Sequence, residues 1–397
     1  MCIHPLPYPF RRPGPLAVPE ELDTIHDEPV RRVSIPSGDE VYLVTRHEDV
    51  RKVLTDPRVS RNLNRPDAPK MSKTTMMFQD AKLDPDPPEH TRVKRLVMRA
   101  FSATRVERLR PRAQEITDEL IDAMAAKGPP ANVAEDLAFP LSIRIICDLL
   151  GVPPQDQSRF RRWTDHFLST SRYTRQEIHR ALGELNTYMS TLITAKRESP
   201  AGDLVSALIQ VHDDDDTRLT EYELHWWCRL LLLVGYETTA SQLSLSVAKL
   251  LSEPDQLKLL RADESLLDGA VEELLRWKLM SGSLSMLRYV TEDIEVGGVT
   301  IPRGSGLIPA VESANWDREV FERPGDLDIT RTDNAHLTFS AGPHFCIGAA
   351  LARLELQTAL GTLLRRFPTL RLTIAAEKLR RTEGTLIESL VETPITW

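Results

Sequence analysis

The stretch Phe339-Ser-Ala-Gly-Pro-His-Phe-Cys-Ile-Gly-Ala-Ala-Leu-Ala-Arg-Leu-Glu355 decides the fold of this chain. A loop with glycine and proline leads into Cys346, which is followed by Gly348 and a run of good helix formers. At the mouth of a helix, backbone N–H groups and the helix dipole favour a thiolate over a thiol. A lone thiolate held by a turn can bind one position of a metal centre, and haem iron fits this pattern. A buried structural cysteine before a helix is the alternative.

The stretch Leu231-Leu-Leu-Val-Gly-Tyr-Glu-Thr-Thr-Ala240 interrupts an otherwise apolar helix with a glycine, an acid and two threonines. A threonine hydroxyl can bond to the carbonyl one turn back and distort the helix locally. Gly235 removes a side chain at the same place. The pattern predicts a groove for a small ligand with a carboxylate and a hydroxyl beside it, and a buried helix with a polar defect is the alternative.

A third pattern is Glu272-Glu273-Leu-Leu-Arg276-Trp277. Glu273 and Arg276 are three residues apart on a predicted helix, so their side chains can meet. An exposed pair of this kind contributes little to stability. Because such a spacing often occurs by chance, it counts only beside the other two patterns.

The bulk composition limits the classes of protein that fit. The chain has 397 residues, 41% of them apolar, and a formal net charge of −8. This is ample for a sizeable core, and the acidity argues against nucleic acid as the main partner. No shift in composition divides the chain, so we expect a single domain over residues 1–397 with an extended, proline-rich arm at residues 1–20.

The four cysteines Cys2, Cys147, Cys228 and Cys346 lie far apart and form no C-x-x-C pair. Zinc and thioredoxin-like chemistry therefore lack support, and sparse cysteines suit a reducing compartment. The N-terminus has no apolar signal core, and no apolar run reaches the roughly 18 to 20 residues of a membrane span. We expect a soluble, monomeric, cytoplasmic protein that does not bind membranes.

Hydrophobic periodicity predicts a mainly α fold with small β-sheets. A strand is predicted within residues 33–45, and strand signals return after Arg276, with a hairpin at 294–301 around two glycines, and at 369–397. Helices are predicted at residues 47–54, 92–101, 106–126, 141–150, 155–170, 176–196, 203–211 and 221–252.

Together these patterns resemble the cytochrome P-450 family along nearly the whole chain. The resemblance implies the triangular, mostly helical fold of that family and a haem b whose iron takes Cys346 as axial ligand, in a cofactor-binding loop with Gly348. It implies that Glu237 and Thr238 are the acid and alcohol that deliver protons during dioxygen activation, beside Gly235. Glu273 and Arg276 would form a buried structural pair under the haem.

The resemblance also implies partners for the haem propionates. Those positions are His90, Lys94, Arg288 and His344. Many family members carry arginine where this chain has Lys94, and lysine cannot bind a carboxylate with a fork of donors. Surface cations are the alternative for each. Two further departures are Ser340, where many bacterial members carry glycine, and Val234, where the family usually has alanine or glycine. The branched side chain of Val234 is expected to crowd the distal site.

The implied activity is that of a haem-thiolate monooxygenase that oxidises a medium-sized, natural-product-like molecule in secondary metabolism. By family analogy, the substrate pocket is lined by Met76, Met77, Phe78, Trp163, Phe167, Val234, Leu284, Met286, Leu287 and Leu386. Core packing is the alternative for the aromatic residues among them. The stretch 281–287 and Trp397 weakly resemble actinobacterial members that oxidise or cross-couple cyclodipeptides.

Electrons are expected from NAD(P)H through a ferredoxin reductase and a ferredoxin. Arginines crowd the stretch 92–112, and a basic face there would steer an acidic ferredoxin; a solvated face is the alternative. Two other functions stay open: oxidative coupling or desaturation without oxygen insertion, and a non-catalytic haem sensor or binding protein, which would need no acid–alcohol pair.

Overall fold

Helices dominate the computed structural model, which describes residues 5–75, 85–99, 101–215, 218–277 and 283–397. The helices are α1 His47–Thr55, α2 Glu89–Met98, α3 Ala103–Glu107, α4 Arg110–Lys127, α5 Phe139–Leu150, α6 Gln157–Phe167, α7 Arg175–Glu198, α8 Leu204–Asp214, α9 Glu221–Gly235, α10 Glu237–Leu251, α11 Pro254–Ala262, α12 Leu267–Trp277, α13 Val311–Ala314 and α14 Ala349–Arg366. The strands are β1 Leu6–Pro7, β2 Val30–Ser34, β3 Glu40–Val44, β4 Val59–Ser60, β5 Ala131–Asn132, β6 Arg288–Val290, β7 Ile294–Val296, β8 Val299–Ile301, β9 Gly306–Pro309, β10 Arg371–Leu372 and β11 Pro394–Thr396. The predicted class, mainly α with small sheets, is confirmed.

Polar side chains fix where several helices begin. Thr174 and Thr220 each accept a hydrogen bond from the backbone of a glutamate three residues on, whose carboxylate bonds back to the threonine N–H. Such reciprocal capping satisfies donors that the first turn leaves free. Two predicted helices differ from the structure: residues 106–126 divide between α3 and α4, and residues 155–170 shorten to α6 behind a 3₁₀ turn at Pro154–Asp156.

Within the described residues, three small sheets flank the helices, and the largest has the strand order β1-β2-β3-β9-β6-β4. The hairpin predicted at 294–301 is present as β7 and β8, with positive φ angles of 53° at Gly297 and 77° at Gly298. In the large sheet, β4 runs antiparallel to β6 with Ser60 opposite Tyr289. This register places Arg61 beside Arg288 at the ends of the two strands.

The proline-rich N-terminal segment is more than an arm where the structure describes it. Leu6–Pro7 pairs in parallel with β2, and the side chains of Tyr8 and Phe10 are buried. The Tyr8 hydroxyl donates to the buried carboxylate of Glu312, which also accepts from the Ser283 hydroxyl. This segment therefore packs into the core instead of extending from it.

Helix α10 runs through the middle of the core and packs against α5, α14 and a π-helical turn at Val133–Ala138. Most of its side chains are buried. Among the described residues, no helix is both long and apolar enough to span a bilayer.

Candidate active site

The loop before α14 contains two residues whose backbone lies in the left-handed region, which favours glycine. The Cys346 N–H donates to the Phe339 carbonyl at 2.8 Å, and φ is 66° at Ser340 and 67° at Gly342. A Cβ on Gly342 would lie 2.9 Å from Thr55 Cγ2 and 3.0 Å from the Leu54 carbonyl oxygen, so glycine is required there. Ser340 adopts the left-handed region with a side chain present, which costs about 1–2 kcal/mol.

Cys346 lies just before α14, whose N-cap is Gly348. Its side chain is exposed, yet burial is the largest influence on its thiol pKa, which is raised. The Gly348 N–H and the charges of Lys94 and Arg353 act in the opposite direction, so the predicted helix-end effect exists but is smaller than burial. A bound metal cation would reverse this balance, because a coordinating thiol loses its proton.

Lys94 binds the cysteine loop itself. Its Nζ donates to the carbonyl oxygens of Pro343 at 2.6 Å and Phe345 at 2.8 Å. These bonds tie α2 to the segment that carries Cys346. Two of the three N–H donors of the lysine are thus committed to the backbone, which limits what it can offer to a propionate.

His90, Arg288 and His344 come together as predicted for the propionate partners. The imidazole centroids of His90 and His344 are 4.4 Å apart, and the pKa of His90 is lowered to about 4 by burial and by the charges of Lys94 and Arg61. Arg288 is buried, and its Nη1 donates to the carbonyl oxygens of Met286 and Leu287 at 2.6 and 3.1 Å.

Two buried nitrogens in this group point to an anionic ligand. Arg288 Nη2 and His90 Nδ1 have no hydrogen-bond partner within the described residues. Because buried polar atoms are normally paired, a carboxylate-bearing group fits here. Haem carries such carboxylates, and the Cys346 thiol supplies the axial ligand that its iron would need. The residues present therefore fit a haem.

The helix predicted at 221–252 is interrupted at its polar stretch. Helix α9 ends at Gly235, Tyr236 has φ −119° and ψ −41°, and α10 begins at Glu237. The Thr238 hydroxyl donates to the Val234 carbonyl at 3.2 Å, which is the local distortion expected from the sequence. A Cβ on Gly235 would lie 2.7 Å from Ile146 Cδ1, so this glycine also allows α9 to approach α5.

Glu237 is a buried acid beside this break. Burial raises its pKa to about 7, helped by the charge of Asp165 and opposed by Arg161 and Ser241. Its Oε2 has no hydrogen-bond partner among the residues that the structure describes. A carboxyl group that titrates near neutrality is suited to exchanging protons. Asp165 and Arg161 were not predicted from the sequence, because only the aromatic residues of α6 were assigned to the site.

Glu273 and Arg276 form the buried pair that the sequence predicts. Both side chains are fully buried, and the guanidinium donates two parallel hydrogen bonds of 2.8 Å to the carboxylate. Arg331 and Asn334 donate to the same carboxylate at 3.1 Å. A buried charge needs this degree of pairing, so the pair joins α12 to the segment after α13.

Glu272, which the sequence left without a role, supports the cysteine loop. It accepts from Arg353 at 2.6 and 2.7 Å and lies 3.2 Å from His336 Nε2. Although burial acts to raise the Glu272 pKa, these partners hold it at about 2. The Arg353 guanidinium lies 4.6 Å from the Phe339 ring centroid. Phe339 is thereby fixed at the start of the loop.

The pocket residues predicted from the sequence divide into two groups. Trp163 is wholly inaccessible, lies 5.4 Å from Tyr188 between ring centroids, and donates from Nε1 to Glu184 at 3.3 Å. It packs between α6 and α7, so its assignment as a pocket-lining residue is wrong and core packing is its role. Leu284, Leu287 and Leu386 are also buried. Phe167, Val234 and Met286 keep partly accessible side chains.

Two predicted pocket stretches do meet in the structure. The Leu386 N–H donates to the Leu168 carbonyl at 2.8 Å, and Ser169 bridges Thr385. The end of α6 therefore contacts the C-terminal region next to Phe167. Met76, Met77 and Phe78 lie outside the described residues.

Comparison with known proteins extends these local observations to the whole chain. The cytochrome P-450 family model matches residues 27–383. Nocardicin C N-oxygenase from Nocardia uniformis subsp. tsuyamanensis is 43% identical over 98% of this chain and 98% of its own. Mycinamicin IV hydroxylase/epoxidase from Micromonospora griseorubida is 43% identical over 99% of each chain.

Solved structures agree with the sequence comparisons. The crystal structure of SgvP, described as a candidate thioether synthase in the tailoring step of griseoviridin, matches with a TM-score of 0.94 at 43% identity, covering 99% of this chain and 100% of that one. These likenesses cover 98% or more of this chain, and the structural match supports the fold. The chain is a member of the cytochrome P-450 family, with the mainly helical fold of haem-thiolate monooxygenases.

Proposed function

We propose that this haem-thiolate monooxygenase oxidises a medium-sized, mostly apolar natural product of secondary metabolism. The observation that carries the proposal is the break between α9 and α10, which holds Thr238 beside a carboxyl group whose pKa is about 7. A protein that only bound or sensed haem would need no such pair. Relatives named for the oxidation of nocardicin C and mycinamicin IV support the class of substrate.

Each residue of the site has a separate task in this proposal. Cys346 would hold the haem, which would supply dioxygen activation, a chemistry that the electron density of a thiolate favours. His90, Arg288 and His344 would hold the haem carboxylates, and His90 Nδ1 and Arg288 Nη2 are buried nitrogens without a hydrogen-bond partner in the described part of the chain. Glu237 takes up protons on the side of Asp165 and Arg161, and the Thr238 hydroxyl holds a proton at the distal helix. Gly348 keeps the turn after Cys346 short, and its N–H donates to the sulfur.

The test is the spectrum of the ferrous carbon monoxide complex. We expect a strongly red-shifted Soret band, which reports thiolate ligation, and its loss in Cys346→Ser. The matched control is Cys147→Ser, which changes a buried cysteine on α5 and should keep the band. A band at the position of imidazole-ligated haem in the unchanged protein would contradict the proposal.

A change in the haem spin state reports the binding of a substrate. We expect natural products of medium size to shift it on binding, and the panel should include tyrosine- and tryptophan-containing cyclodipeptides. Absence of a shift with every cyclodipeptide would count against that class. Val234, half-buried at the end of α9, should control fit, so Val234→Ala should admit bulkier members of the panel.

Oxidative coupling is the second candidate reaction, because SgvP, which has a TM-score of 0.94 to this chain, is described as a candidate thioether synthase. The two reactions differ in the fate of oxygen. Turnover under isotopically labelled dioxygen should place label in the product of a hydroxylation. A product without label would favour coupling or desaturation.

A basic face near the cysteine loop supports a ferredoxin as the electron donor. Arg92, Arg110 and Arg112 are engaged by carboxylates. Arg95, Arg99, Arg105 and Arg108 are exposed and form no ion pair with the described residues. Exposed Met98 and Phe345 lie on the same side, since Lys94 of α2 binds the Phe345 carbonyl.

This face predicts a salt-dependent electron transfer. An acidic ferredoxin, reduced by its NAD(P)H-dependent reductase, should reduce the enzyme more slowly as ionic strength rises. Arg95→Glu with Arg99→Glu should slow it further, whereas Arg180→Glu on α7 should not. Equal rates in all three proteins would remove this face from the docking site. Cytoplasmic location and a monomeric state remain predictions from the sequence.

A further inference from the structure

Tyr8, Glu312 and Ser283 form a hydrogen-bond network that joins three distant parts of the sequence. Tyr8 Oη donates to Glu312 Oε1, and the Ser283 hydroxyl donates to Glu312 Oε2. The Ser283 N–H donates to Tyr8 Oη at 2.6 Å and to Glu312 Oε1 at 3.2 Å. The Val311 N–H donates to the Ser283 hydroxyl at 2.9 Å. Both the backbone and the side chain of Ser283 are therefore held by this network.

The network lies in the interior of the protein. The side chains of Tyr8, Ser283 and Glu312 are all buried. Burial raises the Tyr8 pKa well above its usual value, and the charge of Glu312 adds to this effect, so the hydroxyl keeps its proton and acts as a donor. A buried polar network whose donors and acceptors are paired holds a single arrangement. Ser283 is thus fixed relative to the N-terminal segment and to α13.

The turn that begins at Ser283 is held at its other end by Arg288. This 3₁₀ turn spans Ser283–Met286, and Arg288 Nη1 donates to the carbonyl oxygens of Met286 and Leu287. Arg288 Nη2 is one of the two buried nitrogens that fit a haem carboxylate. The turn therefore lies between the Tyr8 network and the residue that would contact the haem.

A second contact joins the N-terminal segment to the C-terminal region near Leu386. Arg381 Nη1 donates to the Pro15 carbonyl at 2.8 Å, and its Nη2 donates to the Glu388 carbonyl at 3.1 Å. Leu386 and the turn before Arg288 were both predicted to line the pocket. Two of the predicted pocket stretches are thus anchored to the same segment of chain.

We propose that Tyr8 and Glu312 are positioning residues that determine which molecules fit beside the haem, because they fix the turn Ser283–Met286 without touching the substrate. Ser285 and Met286 of this turn keep partly accessible side chains. A turn that is already ordered leaves less motion for a ligand to restrict when it packs there. The proposal rests on the haem and the substrate pocket of the proposed function.

The test compares two azoles that bind ferric haem iron through the same ring nitrogen. Imidazole fills only the space over the iron, whereas 4-phenylimidazole adds a phenyl ring that must fit beside it. The red shift of the Soret band gives both dissociation constants in the unchanged protein, Tyr8→Phe, Glu312→Gln and the control Tyr289→Phe. The control removes a tyrosine hydroxyl that donates to another carboxylate, that of Asp67, at 2.6 Å.

The phenyl ring should strengthen binding by the same factor in the unchanged protein and in Tyr289→Phe. In Tyr8→Phe this factor should fall by about 3- to 10-fold, the effect of one more side chain that must be ordered on binding. Glu312→Gln should lower it at least as far, because the carboxylate accepts from both Tyr8 and Ser283. The dissociation constant of imidazole should be the same in all four proteins.

An unchanged factor in both variants would overturn the proposal, because the network would then support only the fold. A larger factor would also overturn it, since the network would then hold the turn away from its best contact with the ligand. Parallel losses for both azoles would place the effect at the iron and would contradict the proposal as well.

If Glu312→Gln fails to fold, Tyr8→Phe decides the outcome, because it removes one hydroxyl and leaves the Ser283 N–H bonded to Glu312. The ferrous carbon monoxide band is recorded on the same samples. A failure of thiolate ligation, which would contradict the proposed function, is thereby distinguished from a failure of the network.

Discussion

The cysteine loop and the break between α9 and α10 are both departures from regular structure, but they are held in opposite ways. In the loop, the Cys346 N–H is bonded to Phe339, Lys94 bonds two carbonyls, and the Arg353–Glu272 pair fixes the Phe339 ring. At the break, Thr164 and Ser241 lie near enough to act on the pKa of Tyr236 and Glu237. The Tyr236 hydroxyl, Glu237 Oε2 and the Ser241 hydroxyl nevertheless make no hydrogen bond of good geometry with the described residues.

This difference follows from what each region must do. A metal ligand must keep one position, and a backbone constrained at several points provides that. Groups that exchange protons must change partners and charge, so a fully bonded arrangement would hold them in one state. We therefore expect changes at the break to alter catalysis more than stability, and changes in the loop to alter stability and haem retention.

The largest effect is expected at the break. Thr238→Ala removes the hydroxyl, and Glu237→Gln removes the titrating proton. Product formation should fall by about 10²–10⁴-fold, the usual value of positioned acid help, while electrons continue to be consumed. Measuring product formed per NAD(P)H oxidised tests this. Thr239→Ala, on the buried side of the same turn, is the control. An unchanged ratio of product to NAD(P)H oxidised in Thr238→Ala would contradict the role of the break in catalysis.

The pH dependence of the free energy of unfolding tests whether Glu237 at the break is protonated near neutrality. Glu237 has a pKa of about 7 in the folded protein against 4.5 for an ordinary glutamate, so the folded state binds the proton more tightly. Its contribution should therefore make stability fall as pH rises from about 4.5 to about 7, by up to about 3 kcal/mol. Above that range the contribution is constant.

Denaturant unfolding of the unchanged protein and of Glu237→Gln across this pH range measures the effect. The free energy of unfolding should fall less steeply with rising pH in Glu237→Gln, and the difference between the two slopes is the contribution of Glu237. Glu355, a second buried acid with a pKa raised to about 8, titrates in the same direction in both proteins and so cancels. Parallel curves would show that Glu237 is not protonated near neutrality.

The loop should respond in stability instead. Gly342→Ala adds a Cβ against Thr55 and the Leu54 carbonyl at a φ of 67°. We expect the free energy of unfolding to fall by about 2 kcal/mol, from the left-handed backbone and the contact together. Gly298→Ala is the control, because its φ of 77° is similar but no atom lies within 4 Å of the added Cβ. Similar losses at both positions would leave the loop no more constrained than a surface turn.

The sequence predicted the parts of the site that are local in the chain and missed those made by tertiary contact. Glu273 and Arg276 are three residues apart, and Thr238 bonds four residues back, so spacing reveals both. Arg61 reaches Arg288 through the pairing of β4 with β6, and Asp165 reaches Glu237 from another helix. No periodicity in the sequence brings these residues together.

Two sequence predictions differ from the structure for different reasons. The helix predicted at 221–252 divides at Tyr236, and this break is local, because it falls at the polar stretch where Thr238 bonds to the Val234 carbonyl. Trp163 was predicted to line the pocket but is buried in the core. It packs against Phe160 on its own helix, α6, and against Tyr188 on α7. The burial of Trp163 therefore depends on neighbours that the local pattern does not contain.

The smallest effect expected is a gain in stability at Ser340. This residue has a φ of 66°, and its buried hydroxyl has no hydrogen-bond partner within the described part of the chain. Glycine would relieve the backbone strain and remove the unpaired hydroxyl, at the cost of a more flexible unfolded chain. Ser340→Gly should therefore stabilise the protein by about 1 kcal/mol, measured by denaturant unfolding of the haem-free form. Because the Cys346 N–H bond to Phe339 does not involve this side chain, the carbon monoxide band should stay in place. A loss of stability would mean that the serine side chain restrains the unfolded loop more than it strains the folded one.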